Sequence, residues 1–155
     1  MIRERTPDDL DACVRALAQV HTADAYPMVW PDDPEAFLAP ADLRAAWVAE
    51  LDGAVVGHVA LTDGPGEIAG VRPDALVSRL FVAPAGRGGG VGVRLLDHAR
   101  RHAVSPMLQV ESESGGAAIA LYERHGWTRV ADGIAHWTTP DGGPVTVRWY
   151  RAPAR

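Results

Sequence analysis

The chain has 155 residues, a length typical of one globular domain with its own hydrophobic core, and we expect a single domain over residues 1–155. Its net charge of -5 argues against nucleic-acid binding, and no apolar run approaches the ~20 residues that cross a bilayer. A single cysteine, Cys13, excludes an intrachain disulfide and a multi-cysteine zinc site. The charged N-terminus is unlike a secretory signal, so we expect a cytoplasmic protein. All of the basic residues counted as Lys or Arg are arginine, which is typical of a GC-rich bacterium.

The first half of the chain predicts a strand, a helix and a hairpin. Residues 1–5 have the pattern of a short strand, and residues 6–9 supply an N-cap, a proline and two acids at the start of a helix that continues to about His21. Residues 23–40 are rich in proline and aromatic side chains, which indicates a loop with one short helix. Two β-like runs follow, and the Asp52-Gly53 pair between them is typical of a tight hairpin.

The second half alternates strands and helices. A strand over residues 75–84 precedes a glycine-rich loop and a long helix, and a short strand follows at residues 107–111. A further helix ends at Gly126, and two closing strands surround a turn at residues 140–143. The order β-α-(α)-β-β-β-α-β-α-β-β predicts a mixed sheet with helices on its faces, in the α/β or α+β class.

The glycine-rich loop lies directly ahead of a helix. Amide groups at a helix start are unpaired and carry partial positive charge, so a loop without Cβ atoms there favours an anion such as a pyrophosphate. A P-loop is excluded because the chain has no lysine, and a dinucleotide loop is excluded because Val93 and Leu95 stand where its third glycine is required. The residues alone leave two alternatives open, an anion site or a flexible turn.

The pattern Arg87-x-x-Gly90-x-Gly92, after a strand ending in Val-x-Pro, resembles motif A of the GNAT superfamily of N-acetyltransferases. The later segment ALYERHGW is similar to the family's A-x-x-L-Y-x-x-x-G-[FW] helix end, and the order of elements matches from residue 1 to about 151. The resemblance implies a mixed, largely antiparallel sheet of six or seven strands with about four flanking helices, and acetyl-CoA as co-substrate. From the residues themselves we expect no metal. It also implies that the backbone of one loop holds the donor pyrophosphate, through Arg87, Gly88, Gly89, Gly90, Val91, Gly92 and Val93.

The same resemblance assigns roles along the path of the donor. Leu80, Phe81 and Val82 match the strand end whose free backbone groups pair with the pantetheine arm, and one of these amides is a candidate oxyanion donor. Tyr122 matches the tyrosine that protonates the departing thiolate, since phenol and thiol pKa values of about 10 and 8.5 are close. Without the motif, a half-buried tyrosine packed on the sheet is the simpler interpretation of Tyr122.

One position departs from the family pattern. The family often carries an asparagine that contacts the cofactor arm, three residues before the alanine that aligns with Ala118. Here that position is Gly115, so the contact is absent or comes from a neighbour such as Ser112 or Ser114. Either serine is also a candidate N-cap of the following helix.

The general base is less clearly indicated. An amine with a pKa of about 10.4 is almost entirely protonated at neutral pH, so a group must remove a proton before attack. We select His58 and Glu111 as candidates, with Ser78, Glu113 and His136 as the remaining ones. A lone histidine in a strand also fits a structural role, and the proton can leave through water.

The segment after the first helix is the candidate acceptor site. The family uses this region to cover the substrate, and Tyr26 and Trp30 stand there among acidic residues, which suits a cationic amine. A loop pinned to the core by Trp30, with its acids in water, explains the same residues. Elsewhere, His98 and His102 lie four apart on a helix, but the neighbouring charges favour a solvated face over a metal pair.

Together these features predict an acetyl-CoA-dependent enzyme that moves an acetyl group to a primary amine on a small molecule or a peptide N-terminus. Direct attack in a ternary complex is favoured because no cysteine accompanies the site motifs. The alternative is a non-catalytic module of the same fold that binds or senses CoA. We expect no nucleic-acid or membrane partner, and the apolar last strand permits a homodimer without requiring one.

Overall fold

The computed structural model describes residues 1–113 and 115–154. These residues form one seven-stranded sheet and four α-helices. The strands are β1 (Ile2–Glu4), β2 (Leu43–Leu51), β3 (Ala54–Asp63), β4 (Ala75–Val82), β5 (Met107–Glu111), β6 (Thr128–Thr138) and β7 (Pro144–Arg151). The helices are α1 (Leu10–Asp24), α2 (Pro34–Leu38), α3 (Val91–Arg101) and α4 (Gly116–Arg124).

The strands are arranged in the order β1-β2-β3-β4-β5-β7-β6. Every neighbouring pair is antiparallel except β4 and β5, which are parallel. The predicted hairpin is present, because Leu51 pairs with Ala54 across Asp52 (φ 53°) and Gly53 (φ 80°), whose left-handed backbone suits a tight turn. This mixed, largely antiparallel sheet with flanking helices confirms the predicted fold class.

Each face of the sheet has its own core. On one face, α1 and α2 pack on the sheet through a cluster that includes Leu17, Leu38 and Phe81. On the opposite face, α3 and α4 pack through a larger cluster that includes Leu95 and Tyr122. Adjacent β-strand residues point to opposite faces, so a strand buried on both sides supplies both cores.

The sheet is open between its two parallel strands. β4 and β5 share one register pair, Leu76 with Met107. Next to that pair, the Asp74 carboxylate accepts hydrogen bonds from the Val104 and Ser105 amides, each at 2.8 Å, and so joins the segments that lead into the two strands. We call the unpaired gap between residues 77–82 of β4 and residues 108–111 of β5 the wedge. Backbone groups of β4 that face the wedge have no partner strand there.

Helix α1 differs from its prediction at both ends. The proline and two acids form a separate 3₁₀ turn, Pro7–Asp9, and the α-helix continues past His21 to Asp24. The helix ends at Ala25, which has left-handed backbone (φ 56°). In this conformation the Ala25 amide donates a hydrogen bond to the His21 carbonyl oxygen at 2.9 Å. No helix in the described part of the chain is both long and apolar enough to span a bilayer.

Candidate active site

The loop between β4 and α3 presents unpaired amide groups. Gly90 is the N-cap of α3, and the Arg94 amide makes the first helical hydrogen bond, to the Gly90 carbonyl oxygen at 3.1 Å. Within the described residues, the amides of residues 88–93 donate to no protein acceptor. Gly88 (φ 91°) and Gly90 (φ 75°) have left-handed backbone, and a Cβ on Gly90 would meet only Val93, at 3.8 Å. The loop is therefore an open cradle of donors that an anion can approach closely.

A groove of about 350 Å³ runs from this cradle to the end of α4. We call it the donor groove. The predicted donor residues that line it are Val82, Arg87, Gly88, Gly90, Val91, Gly92 and Val93. Of the other predicted donor residues, Gly89 is exposed beside the groove and is not among its lining residues, and Leu80 and Phe81 lie further back along β4.

The sequence reasoning missed four lining residues, Gly86, Leu121, Arg124 and His125. Gly86 is buried, and a Cβ there would lie 2.8 Å from the Val56 Cβ, so this glycine allows the loop to pack closely on β3. The other three flank Tyr122 in the ALYERHGW segment, which could have identified them. Arg124 brings positive charge to a groove that already offers amide donors.

The Arg87 side chain binds two other groups of the protein. Its Nε donates to the Val82 carbonyl oxygen at 3.1 Å, and its guanidinium forms an ion pair with the Asp24 carboxylate at the end of α1. Both side chains of this pair remain nearly half exposed. Arg87 therefore connects the donor loop to the segment that precedes the candidate acceptor residues.

Strand β4 contains a β-bulge at the edge of the wedge. His58 pairs with Phe81 and Ala60 with Ser78, so Val59 lies opposite two residues, Arg79 and Leu80. Arg79 has φ 50°, a left-handed conformation that is uncommon for a residue other than glycine, asparagine or aspartate. A bulge changes which backbone groups face each side of a strand, and bulges are frequent beside active sites.

His58 lies directly behind this bulge and is 0% exposed. Its Nε2 lies 2.9 Å from Arg5 Nη1, its Nδ1 lies 2.9 Å from the Arg79 carbonyl oxygen, and its ring stacks on Phe81. Burial lowers the pKa of His58 to about 4, and the charges of Arg5 and Arg79 act in the same direction. With both ring nitrogens engaged, this geometry does not favour His58 as the base.

Tyr122 lies on α4, next to the groove residue Leu121. Its side chain is 8% exposed and packs near Trp127 and Tyr150, with ring centroids 6.4 and 6.2 Å away. Burial raises the pKa of Tyr122, and the nearby Tyr26 adds to the effect. No described residue forms a hydrogen bond with the Tyr122 hydroxyl. This packing agrees with the simpler interpretation of Tyr122 as a tyrosine of the core. Its hydroxyl, which has no partner among the described residues, is still available to donate to a ligand.

Tyr26 and Glu111 approach the wedge from different elements. Tyr26 follows α1, with its ring centroid 6.5 Å from that of Phe81, and Glu111 ends β5 opposite Val147. Burial raises the pKa of Tyr26 to about 12, the positive charge of Arg79 opposes this, and the negative charge of Glu111 adds to it. Tyr26 thus interacts electrostatically with Arg79 of β4, Glu111 of β5 and Tyr122 of α4.

The rest of the candidate acceptor segment is largely used in packing and capping. Trp30 is half-buried against the α1–α2 core, with its ring centroid 5.4 Å from that of His21. The Asp33 carboxylate accepts from the Ala36 amide at 3.0 Å and so caps α2. The structure thus packs Tyr26 beside Phe81 of β4 and Trp30 against His21, where Trp30 anchors the loop.

The position of the missing asparagine has no room for a side chain. A Cβ on Gly115 would lie 2.4 Å from the Glu111 carbonyl oxygen and 2.6 Å from Val110 Cγ2. An asparagine could stand there only if the backbone moved. Ser114, the predicted substitute, lies outside the described residues.

No group of three or more potential ligands suited to a metal ion occurs among residues 1–113 and 115–154. His98 and His102 do not form a fully solvated face as expected. Their rings pack on buried Trp47, with centroids 5.2 and 4.8 Å away, and burial lowers the pKa of His98. His98 is partly buried at this contact, whereas His102 remains exposed.

Comparison with solved structures shows the same fold over almost the whole chain. The ribosomal-protein-S18-alanine N-acetyltransferase from Escherichia coli matches with a TM-score of 0.72 at 20% identity, over 99% of this chain and 92% of that one. The protein yncA from Salmonella typhimurium, solved with its cofactor acetyl-CoA, matches with a TM-score of 0.69 at 25% identity, over 99% and 92%. Arabidopsis thaliana NAA60 in complex with acetyl-CoA matches with a TM-score of 0.73 at 18% identity, over 98% and 97%.

The sequence model of the acetyltransferase (GNAT) family matches residues 16–127, which include the glycine loop, the bulged strand and the tyrosine helix. That span covers more than half of the chain. Together with the shared fold, it shows that the chain belongs to the acetyltransferase (GNAT) family.

Proposed function

We propose that this protein is an acetyl-CoA-dependent N-acetyltransferase that moves an acetyl group to a primary amine. The observation that carries the proposal is the junction of the donor groove with the wedge. Val82 and Leu121 line the groove. Phe81 adjoins Val82 on the open part of β4, and Tyr122 adjoins Leu121 on α4 and belongs to the core cluster that also contains Val77 of β4 and Leu108 of β5. A donor anchored at the loop amides would thus extend past an open strand edge to an unpaired hydroxyl.

The donor side fits a pyrophosphate by its chemistry. The cradle offers several backbone donors at a helix N-terminus, where the helix dipole also favours negative charge. The space above Gly90 is open, and Arg124 supplies a cation on the opposite wall. The unpaired groups of β4 can hydrogen-bond an extended amide-containing arm as a neighbouring strand would.

In the proposed reaction, the amine nitrogen forms a bond to the thioester carbonyl carbon, and the carbon–sulfur bond breaks. The β4 amide of Leu80, in the bulge, donates to the carbonyl oxygen as its negative charge develops. Glu111 accepts one proton from the protonated amine before attack. Tyr122 donates its proton to the leaving sulfur and is reprotonated by the second proton that the nitrogen loses as the amide forms. A protonated amine and the thioester thus give an amide, a thiol and one released proton.

The two proton-transfer roles follow from the surroundings of each residue. Glu111 ends β5 and its negative charge acts on Tyr26, so a cationic amine bound beside Tyr26 would be attracted to this carboxylate and could transfer its proton to it. Burial keeps Tyr122 protonated, and the same apolar surroundings would raise the pKa of a thiol held there, so the gap between acid and leaving group stays modest. We infer direct attack because Cys13 is fully buried in the α1–α2 core and so is not exposed for acylation.

Ligand stabilisation followed by an activity assay tests the proposal. Acetyl-CoA and CoA are expected to raise the Tm, whereas ATP and NAD are not, and acetyl-CoA with a panel of amines is expected to release thiol. A protein that no CoA compound stabilises at millimolar concentration would contradict the proposal. Stabilisation without thiol release from any amine would favour the alternative, a non-catalytic CoA-binding module, which the closed position of Gly115 supports.

A further inference from the structure

The buried histidine behind the β4 bulge belongs to a closed ring of polar contacts. Arg5 Nη1 donates to the Leu38 carbonyl oxygen at 2.6 Å and contacts His58 Nε2 at 2.9 Å. His58 Nδ1 contacts the Arg79 carbonyl oxygen at 2.9 Å, and Arg79 Nε donates to the Phe37 carbonyl oxygen at 3.0 Å. Since Phe37 and Leu38 are neighbours in α2, the ring begins and ends at the same helix.

The contacts fix the protonation of the imidazole. A guanidinium has only donors, so Arg5 must donate and His58 Nε2 must accept. A carbonyl oxygen only accepts, so Nδ1 carries the hydrogen and donates it to Arg79. His58 is therefore neutral with the hydrogen on Nδ1, and it has no free nitrogen for a substrate proton.

The closed ring of polar contacts includes a strained position of the backbone. Arg79 takes the left-handed position in the bulge, where glycine is usual and where the Cβ of an L-residue makes the conformation strained. His58 holds its carbonyl group from one side, and the Phe37 ring lies 4.5 Å from its guanidinium carbon on the other. Strain of this kind persists only where the surroundings over-determine the conformation, as they do here.

We propose that His58 is a positioning residue: its Nδ1–H holds the Arg79 carbonyl and thereby keeps the β4 bulge in the form that turns the next backbone amides toward the wedge. This inference rests on the proposed function, in which one of those amides receives the thioester oxygen. His58 does not touch the reacting atoms. Its role is to fix the direction of a donor on the adjacent strand.

Two substitutions of similar polarity separate this role from that of a base. His58→Asn places an amide donor near the original Nδ1, whereas His58→Gln places its amide near Nε2 and leaves the Arg79 carbonyl without a donor. We expect His58→Asn to retain most of kcat and His58→Gln to lower kcat by about tenfold or more, with little change in the KM for acetyl-CoA. An equal loss of kcat in both variants would overturn the proposal, because both variants lack a histidine base. Unchanged kcat in both variants would also overturn it, because the donor to Arg79 would then not matter.

A measurement on the unmodified protein keeps the proposal testable if either variant fails to fold. The ¹⁵N NMR shifts of His58 are expected to show hydrogen on Nδ1 and no titration between pH 5 and pH 8. Hydrogen on Nε2, or titration near the ordinary histidine pKa of about 6.5, would overturn it. If the wild-type protein acetylates no amine, the proposed function fails instead, whichever tautomer is found.

Discussion

The donor groove draws all of its lining from two short segments, residues 82–93 and 121–125, whereas the polar groups at the wedge come from separate parts of the chain. In the groove, backbone amides are the proposed binding groups, and for such a site the residue types need only allow the backbone to be exposed. At the wedge, side chains must meet across α1, β4, β5 and α4. A site made from one backbone turn therefore leaves a contiguous sequence pattern, and a site made from converging side chains does not.

The difference between the two regions is tested most strongly by removing one hydroxyl at the wedge. Tyr122→Phe is expected to lower kcat by about a hundredfold, because the leaving sulfur loses its proton donor, while the Kd for acetyl-CoA stays near the wild-type value. Steady-state thiol release and calorimetric binding measure the two quantities. Tyr150→Phe is the matched control, since its hydroxyl donates to Glu123 at 2.6 Å within the same core. Unchanged turnover in Tyr122→Phe would exclude the proposed proton donor.

The pH dependence of folding tests how the β4 side of the wedge is held. The His58 pKa is about 4 in the folded protein and about 6.5 when unfolded, so the unfolded chain takes up the proton first as the pH falls. The free energy of unfolding should therefore decrease by about 2 kcal/mol between pH 7 and pH 5 through this residue. Urea unfolding at both pH values measures the change.

His58→Gln should show a smaller decrease over the same interval. Some slope will remain, because burial also lowers the pKa of His98. The same pH slope in His58→Gln and in the wild-type protein would contradict the buried, neutral imidazole.

A glycine comparison sharpens the donor side. Gly90→Ala and Gly53→Ala each place a Cβ at left-handed backbone, φ 75° and φ 80°, and each should lower the free energy of unfolding by about 1–2 kcal/mol. Only Gly90→Ala should weaken acetyl-CoA binding, by about tenfold, because its Cβ enters the space of the anion. Equal Kd values for the two variants would show that the donor does not bind at the loop.

An ion pair between Asp24 and Arg87 joins the donor loop to the end of α1. Of the changes considered, we expect its removal to have the smallest effect on stability and on CoA binding. Because both side chains are exposed, Asp24→Asn should change the free energy of unfolding by no more than about 1 kcal/mol. Removal of a negative charge near the loop should strengthen CoA binding about twofold at low salt. A loss of CoA affinity would indicate that Asp24 holds Arg87 in its binding position.

Local patterns made most of the fold predictable. Asp52-Gly53 identified its hairpin, and Gly126 (φ 87°) follows α4 as expected. The glycine-rich loop ahead of α3 was predictable as a structural element, because Gly88 and Gly90 mark the left-handed backbone that the turn into the helix requires. In contrast, the left-handed Arg79 was not foreseen, since nothing in ALVSRLFV distinguishes a bulge from a regular strand.

His58 shows why the wedge was harder to predict. Its partners, Arg5 and Arg79, are 53 and 21 positions away, and only the packing of β1, β3 and β4 brings them together. From sequence, an isolated histidine could be a base or a core residue. Trp30 illustrates the same limit, because a loop aromatic next to acids fits either a substrate contact or an anchor, and only its packing against His21 favours the anchor.

The central claim is that the unpaired amides of residues 88–93 hold the pyrophosphate of the donor, and amide NMR during a CoA titration tests it most directly. The account predicts saturable shifts of these amides, with smaller changes along β4 and none around Arg15, which lines a second cavity between α1 and the β2–β3 hairpin. Shifts centred on that second cavity, with the loop amides unaffected, would contradict the claim.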